Sequence, residues 1–232
     1  MGVEILHTSL YPNPQEYEES GEMLHSRVIT SPLPFVMFSP PYLQLSYVLR
    51  SLVEIPEDEL AKLTQIFQPV SCKTGEFFMR AGEVPQQIGF VISGIFRLYY
   101  VNAAGTEFTK SFCPENHFVT AYSALILKQP AQFFIEALED SLLLVADYSQ
   151  YVQLCAAHPC WQAVNHKLVE ALFIKKERRE AELLLDDATT RYQKFLQEYP
   201  NLEHRVKQYH IASYLGISPV SLSRIRKILQ PN

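Results

Sequence analysis

Two hydrophobic periods meet at Pro159, and their order constrains the fold more than any other feature of the chain. Between residues 69 and about 150, apolar residues come in short alternating or continuous runs, at 88–92, 95–101, 108–112, 133–138 and 142–146. Runs of this length, rich in β-branched and aromatic residues, predict strands. Gly75, Gly82, Gly94 and Gly105 punctuate them where a chain must turn tightly, and Asn102-Ala103-Ala104-Gly105 has the composition of a hairpin turn. Short strands at this spacing predict a small sandwich or barrel.

After Pro159 the period becomes helical. Trp161, Val164, Leu168, Ala171, Leu172 and Phe173 form an apolar stripe ahead of the polar run Lys175 to Arg179. A long helix between two domains must bury this stripe, either on its own β-domain or on the same helix of a second copy. The two-fold symmetry common in DNA-binding proteins favours the second, with Trp161, Val164, Leu168 and Leu172 as the dimer contacts.

Upstream, Pro56 followed by Glu57, Asp58 and Glu59 marks an acidic helix start, and Leu60, Leu63, Ile66 and Phe67 continue at helical spacing. Residues 1–41 carry spaced and paired prolines without a sustained period and read as an extended or poorly ordered extension. The predicted domains are therefore a β-domain at 42–158, a dimerisation helix at 159–180 and a helical domain at 181–232, an α+β organisation.

The 232 residues suffice for two modest cores. No run approaches the roughly 18 apolar residues of a membrane span, and no secretion signal opens the sequence, so a cytoplasmic protein without a membrane partner is expected. Four scattered cysteines, Cys72, Cys113, Cys155 and Cys160, suggest reduced thiols rather than a disulfide framework or a metal site. Charge is distributed unevenly. From Arg191 onward seven Lys and Arg face two acids, whereas the earlier residues are strongly acidic. Such a basic end suits contact with phosphate.

Residues 208–227 carry the most specific signal, a helix-turn-helix pattern. Ile211 and Leu215 are placed to bury the first helix, Ala212 to allow a close crossing, and Gly216 to turn. Ser218 can cap a second helix at 219–229, Pro219 suits its first position, and Leu222 and Ile225 face inward. Pro219, Val220, Ser223 and Arg224 then form a candidate base-reading face. Arg224 is the best candidate, because its planar fork can donate twice to a guanine edge. Arg205, Lys207, Ser221, Arg226 and Lys227 are candidate phosphate contacts.

On these residues the chain resembles the Crp–Fnr family of transcription regulators over roughly 55–229. The glycine-marked series Lys73-Thr74-Gly75-Glu76, Arg80-Ala81-Gly82-Glu83, 89–99 and Gly105-Thr106-Glu107 is similar to that family's cyclic-nucleotide-binding jelly roll. Residues 205–226 are similar to its winged helix-turn-helix. The resemblance implies a homodimer that binds double-stranded DNA, with RNA polymerase as a further partner. Of the family's three usual base-reading positions this chain keeps Arg224 but has Pro219 and Val220 at the others, which implies a different target sequence.

The effector pocket departs from the family pattern. The stretch Thr120-Ala121-Tyr122 replaces the glycine-glutamate pair that holds ribose, and Ala131-Gln132, followed by Phe133, replaces the arginine that binds cyclic phosphate. No Lys or Arg occurs between Lys128 and His158, so cyclic AMP is not expected to bind, and no cofactor is expected. Haem would need an axial ligand, such as Cys72 or His117. A metalloenzyme would need two or three histidines near a carboxylate, and the β-region offers only His117. No catalytic residue is assigned. The rival reading is a dimerising interaction module with a small-molecule-sensing roll that never meets DNA.

Overall fold

The computed structural model describes residues 39–229; all but the last three positions of the predicted N-terminal extension lie outside them. Helix α1 (Pro40–Leu52), α2 (Glu57–Ala61) and α3 (Leu63–Ile66) lead into eight strands: β1 (Gln68–Cys72), β2 (Phe77–Met79), β3 (Gln87–Ser93), β4 (Phe96–Val101), β5 (Glu107–Cys113), β6 (Phe118–Val119), β7 (Phe134–Ala137) and β8 (Ser141–Asp147). A short α4 (Tyr122–Leu127) sits between β6 and β7. The strands form two antiparallel four-stranded sheets, ordered β1-β8-β3-β6 and β2-β7-β4-β5. This is the small sandwich that the spacing predicts, in the jelly-roll form that the resemblance implies.

Side-chain alternation explains why β3 and β8 read as unbroken apolar runs. Val91, Leu143 and Val145 point between the sheets, where they meet Phe96, Phe133 and Ile135. Ile88, Phe90, Leu144 and Ala146 point outward, under helices that carry Leu45, Leu60 and Trp161. Both faces are buried, so both must be apolar. Gly94, ahead of β4, has φ +100, and a Cβ there would lie 2.0 Å from Ser141 Oγ, which leaves glycine as the residue that fits.

Helix α1 begins within the stretch read from sequence as extension. Pro40 and Pro41 occupy its first turn, where their missing N–H groups cost nothing, and Leu45, Val48 and Leu49 are buried. After the roll come α5 (Tyr148–Ala157) and the 27-residue α6 (Pro159–Leu185), about 40 Å long at 1.5 Å per residue. Pro159 opens α6 and His158 Nδ1 accepts the Cys160 N–H at 3.2 Å.

The stripe on α6 divides in two. Trp161 and Val164 are 1% and 0% exposed in the chain's own core. Trp161 Nε1 also donates to Glu59 Oε2 at 2.8 Å. These two residues are therefore not dimer contacts, which corrects the expectation for the start of the helix. Leu168 packs partly on the same core. Further along, Phe173 and Ile174 stand exposed.

The C-terminal region comprises α7 (Ala188–Glu198), α8 (Leu202–Arg205), α9 (Gln208–Leu215) and α10 (Pro219–Leu229). Its core of Tyr192, Phe195, Tyr199, Leu202, Ile211, Leu215 and Leu222 continues into Ile95 and Phe112 of the roll. It contains no strand among the described residues, so the wing expected beside the helix-turn-helix is not found there.

Candidate nucleic-acid interface and effector region

The helix-turn-helix forms as its local chemistry dictates. Ile211, Ala212 and Leu215 bury α9, and Gly216 turns the chain at φ +70 while the N–H of Ile217 returns to the Ala212 carbonyl at 3.0 Å. Ser218 Oγ accepts the Ser221 N–H at 3.1 Å, capping α10. Leu222 and Ile225 lock α10 inward.

On the opposite side Pro219, Val220, Ser223, Arg224 and Lys227 are exposed together. Neither Arg224 nor Lys227 forms an ion pair with a described residue. This face combines a guanidinium, an ammonium, a hydroxyl and an apolar branched side chain, the mixture that reads base edges and phosphates.

The other phosphate candidates are placed differently. Lys207 is exposed and Ser221 half-buried beside the Ser218 cap. Arg226 pairs with Glu203 at 3.4 Å. Arg205 turns away from α10 and donates to Glu115 at 2.6 and 3.1 Å and to Glu139.

That arginine belongs to a polar seam joining the helical region to the roll and to α6. Ser213 Oγ accepts the Thr109 N–H at 2.9 Å and donates to the Glu107 carbonyl at 3.1 Å. Lys175 on α6 pairs with Glu198 at 2.9 Å and donates to Tyr199. Arg179 donates to the Tyr214 carbonyl and stacks 3.9 Å from that ring's centre. Burial would raise the Glu115 carboxyl, but hydrogen bonds from Arg205 and the Gly94 N–H hold it below its ordinary range. Close by, burial pushes the His117 imidazole down to about 4. His210, on the roll-facing side of α9, is also pushed down to about 4 by burial and by Arg97, and its Nδ1 is buried without a hydrogen-bond partner. Sequence reasoning missed this seam.

The predicted effector residues surround α4. Thr120 Oγ1 donates to the Gln87 carbonyl at 2.9 Å, Ala121 is buried and Tyr122 starts the helix. Ala131 is buried, exchanging backbone bonds with Gly82 and Glu83, while Gln132 is exposed. Phe133 points into the roll and meets Tyr100 at 5.7 Å between ring centres. A cavity of about 500 Å³ opens at the β1–β2 edge, lined by Cys72, Glu76, Phe77, Phe78, Arg80 and Gln87 among others. Cys72 is buried and its thiol is pushed up by burial. Among the described residues no three His, Cys, Asp or Glu are grouped to hold a metal ion, and no helix is long and apolar enough to cross a membrane.

Residues 69–158 match the family described as the cyclic nucleotide-binding domain. No curated protein matches the chain in sequence. Solved structures share its fold. The c-di-GMP responsive global regulator CLP of Xanthomonas campestris superposes with a TM-score of 0.59 at 17% identity, covering 75% of this chain and 92% of that one. A double mutant of CooA from Carboxydothermus hydrogenoformans gives 0.59 at 19% identity, covering 73% and 78%. A protein assigned to the crp/fnr family of transcriptional regulators from Eubacterium rectale gives 0.59 at 16%, covering 76% and 84%.

Proposed function

From a chain that carries a cyclic nucleotide-binding domain at 69–158 within the fold of Crp–Fnr regulators, we propose a homodimeric DNA-binding transcription regulator. Its α10 enters the major groove. The observation that carries this reading is the two-sidedness of α10, with Leu222 and Ile225 locked against α9 and Pro219, Val220, Ser223, Arg224 and Lys227 turned outward. A helix in a purely structural hairpin has no need of an exposed guanidinium next to a branched apolar side chain. Arg224 reads a guanine, Val220 packs on a thymine methyl, and Ser223 and Pro219 border the contact, while Lys207, Ser221 and Lys227 meet phosphate.

Dimerisation uses the distal half of α6, where Phe173 and Ile174 are exposed beside the half-buried Leu172. Two copies related by a two-fold axis place two α10 helices on one face of the duplex, which suits half-sites about one helical turn apart. The roll acts as the sensing domain. Cyclic AMP is not its ligand, because Thr120, Ala121 and Tyr122 offer no carboxylate for a ribose and Ala131 and Gln132 offer no cation for a cyclic phosphate.

The test is binding of labelled duplexes, followed across salt concentration. Arg224→Ala relaxes preference at one base position per half-site by about 1–3 kcal/mol, and Lys227→Ala weakens all duplexes alike. Binding that is absent or insensitive to salt assigns the chain to the rival class of dimerising interaction modules.

A further inference from the structure

We propose that residues 16–22 of this chain dock on the outward face of α10 and compete there with DNA. The proposal rests on the reading of α10 as the DNA-contacting helix and names what covers that face when no DNA is bound.

The surface joins charge to apolar area. Val220, Arg224 and Lys227 fall within about 60° of one another around α10, and Ile228 borders them. Val220 is 61% and Ile228 75% exposed. Neither Arg224 nor Lys227 has an acidic partner among the described residues, whereas Arg226, on the flank, is taken by Glu203. Two uncommitted cations beside exposed apolar side chains fit a ligand that brings carboxylates and an apolar group together.

The same chain carries such a ligand. Residues 1–26 hold five glutamates and no lysine or arginine. Four of the five, Glu16, Glu18, Glu19 and Glu22, fall within seven residues, with Tyr17 among them and Met23 and Leu24 directly after. The other dense acidic run, at 54–59, is already engaged. Glu57 pairs with Arg50, and Glu59 pairs with Lys62 at 2.6 Å and accepts from Trp161.

The described chain starts at Ser39, and three side-chain bridges lead from there to α10. Gln44, in the second turn of α1, donates to Asn116 Oδ1 at 2.8 Å. The preceding residue, Glu115, holds Arg205, and Glu203 holds Arg226, the neighbour of Lys227. The residues between Glu22 and Ser39 reach up to about 50 Å when extended, enough to follow this path to its end. A tether of this length gives an effective concentration on the order of 1 mM, so a contact with a dissociation constant of only about 0.1 mM lowers the apparent affinity for DNA about tenfold. Exposed charges make the contact, so salt weakens it.

The test compares the full chain with a full-length variant carrying Glu16→Gln, Glu18→Gln, Glu19→Gln and Glu22→Gln. Without DNA, carbodiimide coupling read by mass spectrometry is expected to join a glutamate of 16–22 to Lys227, and an excess of duplex to suppress that link. A synthetic peptide of residues 14–26 binds the variant with saturation, and adding Arg224→Ala and Lys227→Ala weakens that binding about fivefold or more. At low salt the variant binds duplex about tenfold more tightly than the parent chain, and the difference shrinks as salt rises. Coupling that misses Lys227, coupling that favours the exposed Lys176 of α6 equally, or equal duplex affinity for parent and variant overturns the proposal. If neither chain binds any duplex while Lys227 is coupled, the DNA reading fails and the docked segment stands.

Discussion

Arg205 donates two hydrogen bonds to Glu115, at 2.6 and 3.1 Å, from a position ninety residues away in sequence. This pair, with Glu139 on its other side, fixes the helical region on the roll. An arginine read from sequence as a phosphate contact is thus held by two carboxylates.

Arg205→Ala is therefore expected to leave the salt dependence of DNA binding unchanged while lowering thermal stability by about 1 kcal/mol, the scale of a partly exposed bidentate pair. Lys227→Ala, in contrast, reduces the slope of log affinity against log salt by about one. Equal changes in slope for the two variants would return Arg205 to the phosphate face.

The buried histidines set a pH limit. His117 and His210 titrate near 4 in the folded chain and near 6.5 when unfolded, so below 6.5 the unfolded chain binds more protons. Their contribution is complete above about pH 6.5 and is lost as pH falls toward 4. Denaturant midpoints measured across this window should decline, and His210→Leu should decline less steeply because one of the two groups is gone. A midpoint constant from pH 6.5 to 4.5 would contradict the burial of both rings.

The two halves of α6 separate by mutation. Trp161→Phe removes the donor to the buried Glu59 oxygen and costs about 1–3 kcal/mol of stability, with the dimer unaffected. Replacing Phe173 and Ile174 together by Lys spares the core, since both are exposed, and should yield monomers in sedimentation analysis. Dissociation caused by Trp161→Phe at unchanged stability would reverse the assignment.

What the sequence disclosed follows from how local each determinant is. Gly216, Ser218 and Pro219 act within one turn of the chain, and the helix-turn-helix is legible from them alone. The strands of the roll are legible because alternation is local too. Periodicity shows that Trp161 and Val164 are buried but not against what, so it does not separate packing on the chain's own roll, where both lie, from packing on a second copy. Pro40-Pro41 reads as irregular chain unless a helix is known to begin there. Ser213 meeting Thr109 requires the fold, because these residues lie on separate elements far apart in sequence.

The central claim, that two copies of α10 read DNA together, is tested most directly by selecting duplexes from a random pool with the purified chain. The account predicts a two-fold symmetric site with half-sites about one helical turn apart, lost when Arg224 and Lys227 are both replaced by alanine. Enrichment of no sequence, either alone or with cell extract added to supply a ligand, would contradict it.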